Sequence, residues 1–276
     1  MDRIRLIASD MDATLLDERG CLPAGFEQTV HALAALGIRF APASGRPLYT
    51  LEAMFPTLQD ELVFIGDNGG AIRWKGQNLF TSEMSPEGWR ALNRLTREQG
   101  DIAVLCGLES AYVERPFAVH DAVLRHFYTK IEYVDRLEDV AAPADKFTIY
   151  LPQHNAQQAY DTVYASQRSI YSVAVAGECW VDIMNPGVHK GAALQTLGQL
   201  WGLPSESIMA FGDTYNDAEM LQTVRYGFLM ENGSEPLRQK VPFLAPSHRE
   251  AGVMQVLHRV LAQNGCVCPE DFVPAH

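Results

Sequence analysis

The sequence predicts an α/β protein: a Rossmann-like three-layer α/β/α core with a parallel sheet, interrupted by an inserted α+β domain. Three observations lead there. Strand-sized apolar runs alternate with helical patterns from the N-terminus to about residue 83. The rhythm changes over 84–184, and from 185 onward the first rhythm returns. A strand–helix alternation implies a parallel sheet covered on both faces, and a break in it marks a separate unit. The core is therefore expected to be discontinuous, 1–83 plus 185–276, around an insert at 84–184.

The elements follow in order. Residues 4–8 read as a buried strand ending in Asp10-Met11-Asp12. Phe26, Val30 and Leu33 repeat at helical spacing, and Gly37 suits a helix end. Residues 38–43 form a second strand ending at Ser44-Gly45-Arg46, 47–54 a short helix, and 62–65 a third strand. In the insert, Ser85 and Pro86 open a helix as cap and first residue, and Gly100 closes it. Strands are expected at 102–106, 111–114 and 147–151, helices near 118–128 and 156–165, and a hairpin over 171–184. Then come a helix at 189–201, a strand at 207–212 ending in Asp213, a strand at 226–230 and a closing helix at 249–263. Functional loops of such sheets lie at the carboxyl ends of the strands, which is where Asp10, Asp12, Ser44 and Asp213 fall.

Composition narrows the function. Hydrophobic residues make up 47% of the 276, enough for a substantial core. The net charge of −12 argues against a nucleic-acid surface. Any anionic substrate must be drawn in by a local cluster or a metal. Five scattered cysteines fit neither a disulfide framework nor a zinc site, which suits reduced thiols and a cytoplasmic setting. The N-terminal segment has no signal-peptide pattern, and no run is long enough for a membrane span.

Asp10 and Asp12, two residues apart at a strand end, would repel each other unless a hard cation lay between them, and magnesium prefers such oxygen ligands. Alone the pair is a weak signal. The ordered set is more specific: Asp10-Met11-Asp12-Ala13-Thr14, Ser44-Gly45-Arg46, His189-Lys190-Gly191 and Gly212-Asp213-Thr214-Tyr215-Asn216-Asp217. These four motifs, each at a strand end or helix start, resemble those of the haloacid dehalogenase-like phosphatases. An insertion between the serine and lysine motifs is similar to the Cof-type branch. The likeness spans essentially the whole chain.

The resemblance implies a magnesium-dependent phosphatase of small phosphorylated metabolites such as sugar phosphates, FMN or pyridoxal phosphate. Asp10 would be the nucleophile and form an aspartyl-phosphate, and Asp12 the general acid and base. Asp10, the Asp12 carbonyl and Asp213 would hold Mg2+. Met11 and Gly45 would offer backbone N–H groups and Ser44 its hydroxyl to the phosphate. Lys190 would neutralise charge. Asn216 would bind phosphate or hold Lys190, and Asp217 would orient metal-bound waters. Arg46 is open between substrate contact and ion pair, Asn68 between substrate contact and turn, and His189 reads as a bystander.

One departure from the family stands out: Ala13 replaces its usual glycine, which is costly if φ there is positive. The stretch between Asp10 and Ser44 is too short for a cap and suits a flap near 15–22. The insert would then be the cap domain that covers the site and selects the leaving group. Its candidate contacts are Arg115, His120, Arg125, His126, Tyr128, Lys130 and Trp180. The expected state is a monomer or small homo-oligomer. Competing readings are a phosphomutase or phosphotransferase, and a weakened phosphate-binding module. A dehalogenase is disfavoured, because hydrolysis at carbon has no need of Asp12.

Overall fold

The computed structural model describes residues 1–276. The core holds a six-stranded sheet. In chain order the first elements are β1 (Leu6–Ser9), α1 (Phe26–Ala35), β2 (Arg39–Pro42), α2 (Leu48–Ala53), β3 (Val63–Gly66), β4 (Ala71–Trp74) and β5 (Gln77–Thr81). The insert contributes α3 (Pro86–Gln99), β6 (Ile102–Gly107), β7 (Ala111–Glu114), α4 (Asp121–Phe127), β8 (Ile131–Val134), β9 (Ala144–Tyr150), α5 (Ala156–Asp161), β10 (Ser172–Val175) and β11 (Trp180–Met184). The core resumes with α6 (Lys190–Trp201), β12 (Ile208–Gly212), α7 (Ala218–Thr223), β13 (Tyr226–Met230), α8 (Glu235–Arg238), β14 (Phe243–Ala245), α9 (Gly252–Ala262) and β15 (Val273–Pro274).

The core sheet runs β15-β14-β13-β12-β1-β2, parallel except at the β14–β15 edge. Alternate residues along a strand serve opposite faces. On β12, Met209 and Phe211 join α1 and α9 in one apolar cluster, while Ile208 and Ala210 join α6 and α7 in the other. Both faces are buried along the central strands β12 and β13, which are apolar throughout, and the three-layer arrangement follows. A small antiparallel sheet, β3-β4-β5, is tied to the edge of this one by the bridge between Ala43 and Ile65.

The insert builds its own six-stranded sheet, β10-β11-β9-β6-β7-β8, antiparallel except between β7 and β8. On β9, Phe147 and Ile149 pack with α3 and α5. Tyr150, two residues beyond Thr148 on the other face, packs with Ile102, Val104, Leu124 and Trp180. That second face also carries Lys146, Thr148 and Asp182, and it is turned to the core. The opening of α3 follows its sequence signals: Ser85 Oγ accepts from Gly88 N at 3.1 Å, and Gly100 ends the helix at φ +74°. None of the five cysteines is in a disulfide. No helix is long and apolar enough to cross a membrane.

Candidate active site

Three loops at the carboxyl ends of core strands converge under the insert. The first leaves β1. Asp10 is anchored by its N–H to Phe211 O at 2.9 Å, and the chain then winds through one irregular turn closed by Leu16 N to Met11 O, also 2.9 Å. Inside that turn Ala13 has φ +59°, ψ 11°, and Asn232 Nδ2 holds its carbonyl at 2.8 Å. The positive φ makes Ala13 the strained replacement that the sequence raised as a possibility. The stretch 17–21 is a pinned turn: Asp17 Oδ1 accepts from the N–H groups of Arg19 and Cys21, each at 2.8 Å.

The second loop leaves β2 and is zipped to the loop after β3. Asn68 N donates to Ser44 O at 2.9 Å and Asp67 N to Arg46 O at 3.0 Å. Asp67 and Asn68 both take positive φ to make this approach, +50° and +55°. A Cβ on Gly45 would lie 3.2 Å from Asn68 Oδ1, so the glycine keeps this junction close. Ser44 Oγ accepts from Arg46 N at 3.1 Å.

The third loop leaves β12. Asp217 Oδ2 accepts from the N–H of Asp213 at 3.0 Å and of Thr214 at 3.2 Å. Gly212 must be glycine for this: a Cβ there would sit 2.5 Å from that of Asp217. The other Asp217 oxygen takes Lys190 Nζ at 2.7 Å, and Lys190 also donates to Asp10 Oδ1 at 2.5 Å. Lys190 is fully buried at the start of α6. His189, read from sequence as a bystander, caps that helix instead, with Nδ1 accepting from Ala192 N at 3.1 Å. Thr14 Oγ1 reaches Asp213 Oδ1 at 3.4 Å, a contact the sequence did not flag.

Oxygens of Asp10, Asp213 and Asp217 lie within 4.8 Å of one another. Burial pushes the Asp10 carboxyl above its ordinary range, Lys190 pulls it back, and Asp217 and Asp213 add to the push. Asp213 is raised to about 6 by burial and by Asp217, with Lys190 opposing. Burial opposes the Lys190 ammonium, but Asp10 and Asp217 hold it above the usual lysine range. Three carboxylates against one ammonium leave two negative charges, which a divalent cation would balance. The donor set thus fits magnesium.

Other expected residues lie apart from this cluster. The Asp12 side chain, 60% exposed, pairs with Arg46, whose Nη2 reaches Oδ1 at 2.8 Å and Oδ2 at 3.1 Å. This gives Arg46 the ion-pair role. Asn216 Oδ1 accepts from Thr214 Oγ1 at 2.6 Å, and the partners of Lys190 are Asp10 and Asp217, not Asn216. Asn68 does more than turn: Nδ2 donates to Asp182 Oδ2 at 2.9 Å, and its buried Oδ1 has no partner.

A cleft of about 1340 Å³ separates core from insert. Of the seven expected insert contacts only Tyr128 and Trp180 line it. Arg115 and Arg125 are exposed in ion pairs with Asp135 and Asp121. His120 packs edge-on against Tyr150 and His126 against Phe127, while Lys130 lies 5.8 Å from the Tyr49 ring. Of the short helix α4 only Leu124 is fully buried, and only Phe127 reaches the cleft, so its polar residues lie outside it. Sequence reading missed the polar centre of the insert, Lys146, Thr148 and Asp182, all cleft-lining. Its signal was there: charged residues inside apolar strands, at 146 and 182.

With this geometry in place, the comparisons with known proteins agree. A profile of the haloacid dehalogenase-like hydrolases matches residues 7–257. The chain is 32% identical to the 5-amino-6-(5-phospho-D-ribitylamino)uracil phosphatase YbjI of Escherichia coli (strain K12), over 94% of this chain and 96% of that protein. It is 30% identical to the HMP-PP phosphatase of Cronobacter sakazakii, over 87% of this chain and 89% of that one. A crystal structure of a Streptococcus mutans UA159 protein superposes with a TM-score of 0.85 at 28% identity, covering 94% of this chain and 99% of the other. The chain belongs to the haloacid dehalogenase-like hydrolases, in their Cof-type branch. It is a phosphatase with an α/β core and an inserted cap.

Proposed function

We propose that the protein is a magnesium-dependent phosphatase of small phosphorylated metabolites that works through an aspartyl-phosphate on Asp10. The observation that carries this reading is the Asp10 carboxylate, buried at a strand end and bonded to Lys190 at 2.5 Å beside two further buried aspartates. We read 1–83 with 185–276 as the catalytic core and 84–184 as its cap.

With Oδ1 held by Lys190, the second oxygen of Asp10 attacks phosphorus, and the bond from phosphorus to the leaving oxygen breaks. Asp12 gives that oxygen a proton. Water then attacks the aspartyl-phosphate, Asp12 takes its proton, and inorganic phosphate leaves with the Asp10 carboxylate restored. Ser44 Oγ, Gly45 N–H and Met11 N–H donate to the phosphoryl oxygens, and Lys190 offsets their charge. Asp10, Asp213 and the Asp12 carbonyl would hold magnesium, which when bound offsets the repulsion between nucleophile and phosphate. Asp217 fixes both Lys190 and the loop carrying Asp213. Arg46 holds Asp12 until substrate enters and then releases it for proton transfer.

The leaving group would lie against Trp180, Tyr128 and Phe127. The Trp180 ring stands 5.1 Å from Phe127 and 4.7 Å from Tyr150. Such a wall favours a planar ring. This makes 5-amino-6-(5-phospho-D-ribitylamino)uracil, named for the Escherichia coli relative, the first compound to assay, before sugar phosphates, FMN and pyridoxal phosphate.

The test is hydrolysis of p-nitrophenyl phosphate with and without magnesium. Activity should vanish on chelation and fall more than about a thousandfold in Asp10→Asn. An Asp10→Asn enzyme with undiminished turnover would end this reading. A weakened site is the second reading, and the strained Ala13 favours it. It predicts phosphate binding with little turnover.

A further inference from the structure

We propose that Lys146, on the insert strand β9, is a positioning residue for the phosphate-binding Ser44 of the core, acting through the Gly45–Arg46 peptide. Lys146 Nζ donates to Gly45 O at 2.5 Å. The N–H at the other end of the same peptide, that of Arg46, donates to Ser44 Oγ at 3.1 Å. A peptide is a rigid plane, so holding its carbonyl also aims its N–H. The Ser44 oxygen accepts that N–H, which leaves its own hydrogen to point at a phosphoryl oxygen. A charged donor on the carbonyl also polarises the peptide and strengthens the bond at its far end.

Lys146 is itself clamped. It lies 3.0 Å from Asp67 and 3.6 Å from Asp182. Asp182 is fixed in turn by Thr148 Oγ1 at 2.8 Å and by Asn68 Nδ2 at 2.9 Å. Burial works against the ammonium, but Asp182 and Asp67 more than offset it and hold Lys146 charged. The partners come from both halves: Gly45, Asp67 and Asn68 from core loops, Thr148 and Asp182 from the insert sheet. The bond to Gly45 therefore exists only while the insert sits on the core. Ser44 is thus fully oriented only with the insert seated on the core. A buried lysine with so many dependents is an expensive way to fill space, since an apolar side chain of similar length would serve packing as well. This inference rests on the reading of Ser44 as a phosphate donor.

The experiment is a double-mutant cycle on Lys146→Met and Ser44→Ala, read as kcat/KM for p-nitrophenyl phosphate and as inhibition by inorganic phosphate. Lys146→Met should lower kcat/KM by about 10- to 100-fold and weaken phosphate inhibition. In the Ser44→Ala background the same change should cost less than about threefold, because the hydroxyl it orients is gone. Losses that multiply would overturn the proposal, as would wild-type values in Lys146→Met. If Lys146→Met does not fold, Lys146→Met with Asp67→Asn removes one charge of each sign. It enters the same cycle against Asp67→Asn alone, with the same expected and excluding results. Full activity in Ser44→Ala would remove the serine's role and this inference with it. Turnover in Asp10→Asn would strike the mechanism instead, so the two failures are separable.

Discussion

Ala13 sits at φ +59° in the turn that carries Asp12, a region where a Cβ crowds the following carbonyl and costs on the order of 1 kcal/mol. The conformation is imposed from outside: Asn232 Nδ2 holds the Ala13 carbonyl and His248 Nδ1 lies 3.0 Å from that of Leu16. Ala13→Gly relieves the strain, partly offset by the freer unfolded chain. The expected result is a gain of about 0.5–1 kcal/mol, seen as a thermal midpoint about 1–3 °C higher. A lower midpoint would show that the turn is not strained. If the weakened-site reading holds, the same variant should also raise kcat. On the facing loop, Arg46→Ala frees Asp12 but removes the partner that pre-places it. A several-fold fall in kcat/KM is expected, well short of the Asp10→Asn loss, and steady-state kinetics on both variants decides it.

The third loop and α6 act as one element through Asp217, whose two oxygens satisfy two backbone N–H groups and one ammonium. Removing one member of a buried pair leaves the other charge short of a partner, at about 3–5 kcal/mol in full. Lys190 keeps Asp10, so Asp217→Ala should cost about 2–3 kcal/mol and lower the melting midpoint by roughly 5–10 °C without magnesium. A midpoint within a degree of wild type would exclude this coupling. Elements of this kind were legible in the sequence wherever a local signal and the tertiary role coincide. The apolar run of β1, the Ser85-Pro86 start of α3 and the loops after β1, β2 and β12 all carry such signals. The β4–β5 hairpin did not announce itself, because its turn uses Lys75 and Gly76, both at positive φ, where Asn-Gly is the usual pair. The parallel strand β8 was hidden because it is only four residues long and follows α4 after three residues. The polar centre of the insert escaped for a different reason: Lys146 and Thr148 on β9 and Asp182 on β11 become one centre only when the strands pair and the sheet lies over the cleft. No spacing rule relates residue 146 to residue 45, since only the packing of insert on core brings them together.

At the scale of the whole molecule the net charge is −12, and part of that excess is concentrated where substrate must bring further negative charge. Asp213 has its carboxyl raised from 3.8 to about 6, chiefly by burial and by Asp217. The sign of the consequence follows from proton linkage. Between these two values the folded state holds the proton more tightly than the unfolded chain, so stability falls as pH rises. Below 3.8 the penalty is absent, and above about 6 it is complete, at about 2–3 kcal/mol. A divalent cation held by Asp10, Asp213 and the Asp12 carbonyl would offset the penalty, and protons would compete with it at low pH. Millimolar magnesium should therefore raise the thermal midpoint by several degrees at pH 7.5 and by much less at pH 5, with the midpoint of that change near pH 6. Differential scanning fluorimetry across this range, with magnesium against sodium at matched ionic strength, measures it. Equal gains at both pH values would mean that the carboxylate cluster does not bind the cation, and chelation would then have to abolish turnover through some other site.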